Sequence, residues 1–427
     1  LISINFDELS SESMLFKAPI FNKEPLKQIT AFHELTKNKD HGIYSAYRQR
    51  VFNKYQVQES IDLANKLKES FKQIFLVGIG GSALGTKCVF EALAQSKKID
   101  RDRIVVSDNL DPLFFEKNLN RVSMSETAFF IISKSGGTLE TLAQFAIIQS
   151  KLKEANLDWK KHIVIITDPN NGPLRKLVSE HSLESLPIPS DVGGRFSVFS
   201  PSSLAPLNFA GIDIHAFVNG AENYFNNENS LEQTLKLAAR ISDLEKSGII
   251  CHVFMPYASI LKGCAEWFVQ LWGESLGKKS LADERVLRGP IPVAAVGDTD
   301  QHSLLQLLME GKAHSLCAFL NVEKWNHDYT LNFDPELSKS LEKISYAKNK
   351  SFSQLLSAQL SATREALKQS GRPSYSISLE KLDEENIASL LAFYMDLTTA
   401  SSLFYPKLNP YDQPGVELGK KILEKTL

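Results

Sequence analysis

Short apolar runs, broken by glycine or another turn residue and followed by a helical stretch, recur along this chain, and that rhythm narrows most what it can fold into. Runs at 73–77, 103–107, 128–133 and 162–167 each precede a turn signal and a helical segment. Alternation of this kind builds βαβ units around a parallel sheet. Pro187, Pro189, Gly193 and Gly194 punctuate the end of this first unit, and helical segments fill 203–246. The rhythm then restarts. Strands are expected at 249–255, 291–296, 315–322 and 374–379, with helices at 258–276, 351–369 and 384–403. A chain of 427 residues is long for one domain and comfortable for two. The two units share an architecture without a detectable sequence repeat.

The ends are less regular. Residues 1–40 read as a loop with one or two helices, and 41–70 as helical, with Tyr44, Tyr47, Val51 and Tyr55 at helical spacing. The tail, 408–427, opens with Pro410, Asp412 and Pro414 and continues as a short amphipathic helix, expected to return to the cleft between the two units. Hydrophobic content of 43% fits a globular protein, and a net charge of −2 argues against a general nucleic-acid binder. No apolar run reaches membrane-spanning length, and residues 1–20 lack the basic start and apolar core of a secretory leader. Cys88, Cys251, Cys264 and Cys317 lie far apart, with no pair at metal-clip spacing, and read as reduced core residues of a cytosolic protein.

Two turns carry the chemistry. In the first, Phe75-Leu76-Val77 breaks into Gly78-Ile79-Gly80-Gly81-Ser82 and a helix is expected from about Ser82. Glycines let a backbone approach a ligand, and a helix start offers unpaired N–H groups and a positive dipole end to an anion. The same residues satisfy a dinucleotide fingerprint, with Asp108 after the next strand in place of a ribose-binding acid. A tight turn that binds nothing also fits. The second turn, Ser133-Lys134-Ser135-Gly136-Gly137-Thr138, repeats strand, turn and helix start, now lined with hydroxyls and a lysine. These groups suit phosphate oxygens, whereas a dinucleotide has no evident use for them. Thr138 can equally be a helix cap with no ligand.

Four further residues have chemistry of their own. Glu274 ends an apolar helix that also holds Gln270, where a carboxylate would be pushed toward neutral pKa and suit a general base. Lys278 lies four residues on, so a solvated surface pair is the competing account. Arg195 follows two glycines and can stabilise a developing oxyanion, although most arginines form structural pairs or stay exposed. His302, in a turn with Asp298 and Asp300, can exchange protons near neutrality, or the three can simply cap and solvate a helix start. Lys420, beside Lys421 and near Lys425, looks like solvated surface on its own chemistry.

The Ser133 loop resembles the sugar-phosphate loop of SIS (sugar isomerase) domains, and from about His41 onward the chain resembles the glucose-6-phosphate isomerase family in its shorter, bacterial-like form. Five separated stretches carry the resemblance: 78–85, 133–141, Gly193-Gly194-Arg195-Phe196-Ser197, 270–278 and 412–420. It implies two SIS-type αβα sandwich domains with mainly parallel sheets, at 46–205 and 206–405. A segment 1–45 would pack on the second domain, and a tail helix, 406–427, would return to the cleft. It also implies reversible aldose-ketose isomerisation of glucose 6-phosphate and fructose 6-phosphate through an enediolate, needing no cofactor and no metal. Glu274 aligns with the base, Arg195 with the group that stabilises the intermediate, and His302 and Lys420 with the ring-opening residues. Gly81, Ser82, Ser133, Lys134, Ser135, Thr138, Gln270 and Gln413 align with substrate contacts. The family further implies a cytoplasmic homodimer with His302 supplied by the partner subunit, and no nucleic-acid or membrane partner. Gly137 departs from the family, many of whose members carry a hydroxyl residue there; Leu139 and Tyr411 are milder variations.

Overall fold

The computed structural model describes residues 2–6, 9, 46–279, 289–334, 336, 339–405 and 408–426. The strands are β1 (Ile2–Asn5), β2 (Gln73–Val77), β3 (Ile104–Ser107), β4 (Thr127–Ser133), β5 (Ile163–Thr167), β6 (Glu184–Pro187), β7 (Cys251–Pro256), β8 (Ile291–Ala294), β9 (Ser315–Lys324) and β10 (Ser374–Lys381). They form two five-stranded sheets, ordered β3-β2-β4-β5-β6 and β1-β10-β9-β7-β8. All pairings are parallel except that of β1, which runs antiparallel to β10. Both sheets start from an inner strand, β2 or β7, flanked by the next two strands in the chain.

Strand alternation decides which core each side chain joins, because successive residues face opposite sides of a sheet. Ile74 and Leu76 of β2 and Phe130 and Ile132 of β4 enter a core that also holds Phe254, Leu316 and Leu320 of the other sheet. Their neighbours Phe75, Val77, Phe129 and Ile131 fill a separate cluster on the far side of the first sheet. Val253, Met255, Cys317 and Phe319 do the same for the second. Strands buried on both faces are what parallel sheets require, and they are why the apolar runs were continuous. The helix Glu384–Ser402 contributes to this shared core and is buried along its whole length except at Glu385.

Two strands escaped the sequence. Residues 2–5, expected within a loop or helix, form β1, whose Ile2 and Ile4 are half-buried and whose Ser3 and Asn5 are exposed; residues 10–45 lie outside the described residues. The stretch expected only to end the first unit contains β6, an edge strand closed by Pro187, a position where the missing N–H costs no ladder bond.

The helix Lys262–Leu276 ties the halves together where it crosses the helix Leu84–Ala94. Gly263 permits the approach, since a Cβ there would lie 3.1 Å from Cys88 Cα, and the buried Cys88 and Cys264 sulfurs sit 3.1 Å apart as free thiols. The helix that bears Glu274 is thereby docked on the one that follows the first glycine turn.

Candidate active site

Both glycine-rich turns lie at the carboxyl ends of adjacent strands, β2 and β4, where open α/β sheets bind ligands. After β2 the chain makes a short 3-10 turn, Gly80–Ser82, and the α-helix begins at Leu84, slightly later than expected. Gly80 has φ +55°, a backbone state that favours glycine. Gly81 is required for a different reason: a Cβ there would come within 2.6 Å of Arg195 N and closer still to the Gly194 carbonyl. The Gly193-Gly194-Arg195 segment therefore rests directly on the first turn.

The second turn is a cluster of hydroxyls. Ser133 Oγ lies 2.8 Å from Thr138 Oγ1, and Ser135 Oγ lies 3.5 Å from each. Thr138 occupies the N-cap position of the helix Leu139–Glu154, but its side chain makes no capping bond. The purely structural account of Thr138 is thus not what the geometry gives. Lys134 stands beside the loop, its ammonium donating to Ser190 O (2.9 Å) and Val192 O (2.8 Å), and burial lowers its pKa.

Arg195 is 2% exposed and its guanidinium is fully engaged. Nε donates to Ser275 Oγ (2.8 Å), Nη1 to Gln413 Oε1 (2.7 Å) and Glu274 Oε2 (3.1 Å), and Nη2 to Asp412 O (3.0 Å) and Pro410 O. Burial lowers its pKa and Glu274 pulls the other way; an arginine stays charged regardless. Glu274 in turn accepts from Gln270 Nε2 at 3.1 Å on its other oxygen, and its side chain remains 35% exposed. The competing account, a surface pair with Lys278, is not what forms. The helix stops at Leu276, and Lys278 turns to the tail, donating to Asp412 Oδ1 (2.6 Å), Asp412 O (2.7 Å) and Asn409 O.

One cleft of about 540 Å³ gathers most of these groups: Gly81, Ser82, Lys134, Ser135, Thr138, Arg195, Gln270, Glu274, Gln413 and Lys420 all line it. Ser133 adjoins it through Thr138. Lys420 reaches it from the tail helix Glu417–Thr426, but its side chain is 63% exposed and pairs with Glu417 Oε1 at 2.8 Å. His302 does not join them; it is exposed at the start of the helix Gln301–Glu310. Asp108, which a dinucleotide site would need, lines a different cleft with Lys87 and Arg121.

Sequence reasoning missed Asp168 and Asn171, which also line the cleft. Asp168 Oδ1 accepts from the backbone N–H groups of Asn170 (2.8 Å) and Asn171 (2.9 Å), and these bonds hold its carboxyl below the usual range. Its turn signature, Asp168-Pro169-Asn170-Asn171-Gly172 after an apolar run, was the available signal. Among the described residues no group of three or more His, Cys, Asp or Glu is arranged to hold a metal ion.

A family model described as phosphoglucose isomerase matches residues 45–427. The chain is 38% identical to a glucose-6-phosphate isomerase of Thermus thermophilus over 369 residues, covering 85% of each protein. A solved structure of a hypothetical protein from the same organism superposes with a TM-score of 0.86 at 32% identity, covering 100% of this chain and 99% of that one. The fold is also that of a Chlamydia trachomatis glucose-6-phosphate isomerase, with a TM-score of 0.81 at 23% identity over 98% of this chain and 91% of that one. With the family match spanning nearly the whole chain and the cleft built from the stretches that first suggested it, the chain belongs to the phosphoglucose isomerase family.

Proposed function

We propose that the chain interconverts glucose 6-phosphate and fructose 6-phosphate, with Glu274 as the base that moves a proton between C1 and C2. The observation that carries this is the Glu274 carboxylate, held by Arg195 Nη1 on one oxygen and Gln270 Nε2 on the other, in the same cleft as the hydroxyl loop. Phosphate is assigned to that loop, with Ser133, Ser135 and Thr138, and to Ser82 and the N–H groups around Gly81. Gln413 completes the contacts.

The pyranose opens first. Its C1–O5 bond breaks as the O1 hydroxyl loses a proton and O5 gains one, transfers assigned by the family resemblance to His302 and Lys420. Glu274 then takes the proton from C2 of the open aldose. The C–H electron pair becomes the C1=C2 bond, and the carbonyl pair moves to O1, whose charge Arg195 stabilises. Glu274 returns its proton to C1, the O2 hydroxyl proton is released, O1 is protonated, and C2 is left as the ketone. C1 and C2 exchange oxidation level between themselves, so the step calls for no external electron acceptor.

In this proposal a second copy of the chain supplies His302, an assignment supported by its exposure on its own chain and its place outside the residues lining its own cleft. The same proposal divides the chain into a phosphate-binding half at 46–205, a second half at 206–405 with 1–45 packed on it, and a tail at 406–427. It makes the protein a cytosolic homodimer of glycolysis and gluconeogenesis.

The test is conversion of fructose 6-phosphate to glucose 6-phosphate by purified protein in EDTA, read through a coupled dehydrogenase, with Glu274→Gln alongside. Turnover by the parent, with a loss of about a hundredfold or more in the variant, supports the assignment. A folded parent that binds sugar phosphate without turning it over would make this a sensor instead.

A further inference from the structure

The tail helix Glu417–Thr426 has no buried residue, so nothing along its own length fixes where it lies. Its placement is set upstream. Leu408 and Pro410 are buried, and Tyr411 packs on Phe196 with ring centroids 5.0 Å apart. From Asp412 onward every described residue is exposed. At that departure point two cations converge on the chain. Arg195 takes the carbonyls of Pro410 and Asp412 and the side chain of Gln413. Lys278 takes the carbonyl of Asn409 and both the carbonyl and the carboxylate of Asp412.

We propose that Lys278 is a positioning residue: it fixes where the tail leaves the body of the protein and, through that point, holds Lys420 and Gln413 at the cleft. Its side chain is 10% exposed, and all three of its ammonium donors have oxygen partners on the tail. Glu274 and Lys278 flank the end of the same helix, so one helix terminus sets both the base and the tail's point of departure. The proposal deepens the isomerase assignment above and rests on it for the role of Lys420.

Two measurements on the full chain test it. Nitroxide labels at Lys151→Cys, on the helix Leu139–Glu154, and at Lys425→Cys, in a Cys251→Ser background, report tail placement by pulsed electron resonance. Lys278→Met is expected to broaden the distance distribution and Lys278→Arg to narrow it again; an unchanged distribution in Lys278→Met overturns the proposal. Kinetically, Lys278→Met should lower kcat/KM by about tenfold to a hundredfold in the parent. In a Lys420→Ala background it should cost distinctly less than in the parent, because residues acting through one another do not add; what remains is the part that acts through Gln413. Equal losses in both backgrounds would also overturn it. If the parent proves inactive the isomerase assignment fails, while the label distances still decide the role of Lys278. If Lys278→Met does not fold, Asp412→Ala, whose side chain is 52% exposed, takes its place in both measurements.

Discussion

Arg195 and Glu274, 79 positions apart in the chain, meet at 3.1 Å with the two sides of the pair in different surroundings: the guanidinium side chain is 1% exposed and the carboxylate 35%. The cation is fixed by five acceptors, and the carboxylate is the member of the pair that a ligand can reach.

Arg195→Lys tests that division. A lysine has three donors on a compact head and cannot reproduce a fork that spans Ser275, Glu274, Gln413 and two carbonyls. The expected outcome in steady-state kinetics is a loss of about a hundredfold or more in kcat. KM should move by less than about threefold if the contact is made chiefly in the transition state.

Asp396 lies 0% exposed on the helix Glu384–Ser402, where it accepts from Tyr47 Oη at 2.7 Å and from Arg48 through Nε (3.0 Å) and Nη2. Asp396→Ala removes the one buried carboxylate that accepts from both Tyr47 and Arg48, leaving two buried donors without it. A destabilisation of about 3–5 kcal/mol is expected, read as a drop in the urea midpoint.

His252 is buried between Phe268 and Trp272, with Nε2 3.1 Å from the Tyr375 hydroxyl, and burial pushes its pKa from 6.5 down to about 3. The folded protein therefore keeps this ring neutral at pH values where the unfolded chain protonates it. Stability is fully present above pH 6.5 and is lost progressively as pH falls toward 3. By about pH 5 the loss is roughly 2 kcal/mol. Urea midpoints at neutral pH and at about pH 5 should show this slope in the parent and a shallower one in His252→Gln.

The two glycine turns should respond differently to a side chain. Gly81→Ala drives a Cβ into the Gly194 backbone and separates the first turn from Arg195, with an expected activity loss of about a hundredfold. At Gly137 the nearest atom to a Cβ is 3.8 Å away, on Pro173. Gly137→Ser should therefore fold normally and, by adding a hydroxyl to the loop, lower KM by about threefold, the value of one modest hydrogen bond.

The strands that the sequence made plain are those buried on both faces, such as β2 and β4, because burial on two sides demands an unbroken apolar run. β1 and β6 are four-residue edge strands, and an edge strand needs only one apolar face; Glu184 and Pro187 hid β6, and a polar neighbourhood hid β1. The glycine turns were legible because tight backbone approach leaves a composition that little else requires. The tail contacts of Lys278 left no trace in the sequence, because four-residue spacing suggests a pair with Glu274 only while the helix continues, and this helix ends two residues earlier. Ser275 carried no signal at all: a buried serine receiving Arg195 Nε is spelled like any other serine.

The core shared by the two sheets also limits how the molecule can take in a substrate. Domains joined by a small polar interface hinge freely, whereas a large apolar interface suppresses that motion. Here Leu76 and Phe130 of one sheet and Phe254 and Leu320 of the other belong to a single packed interior, to which a helix with one exposed residue also contributes. Swinging one half against the other would open that interior to water. Enclosure of a bound sugar is left to the periphery, to the turns after β2 and β4 and to a terminal helix that can tilt without breaking a single buried contact.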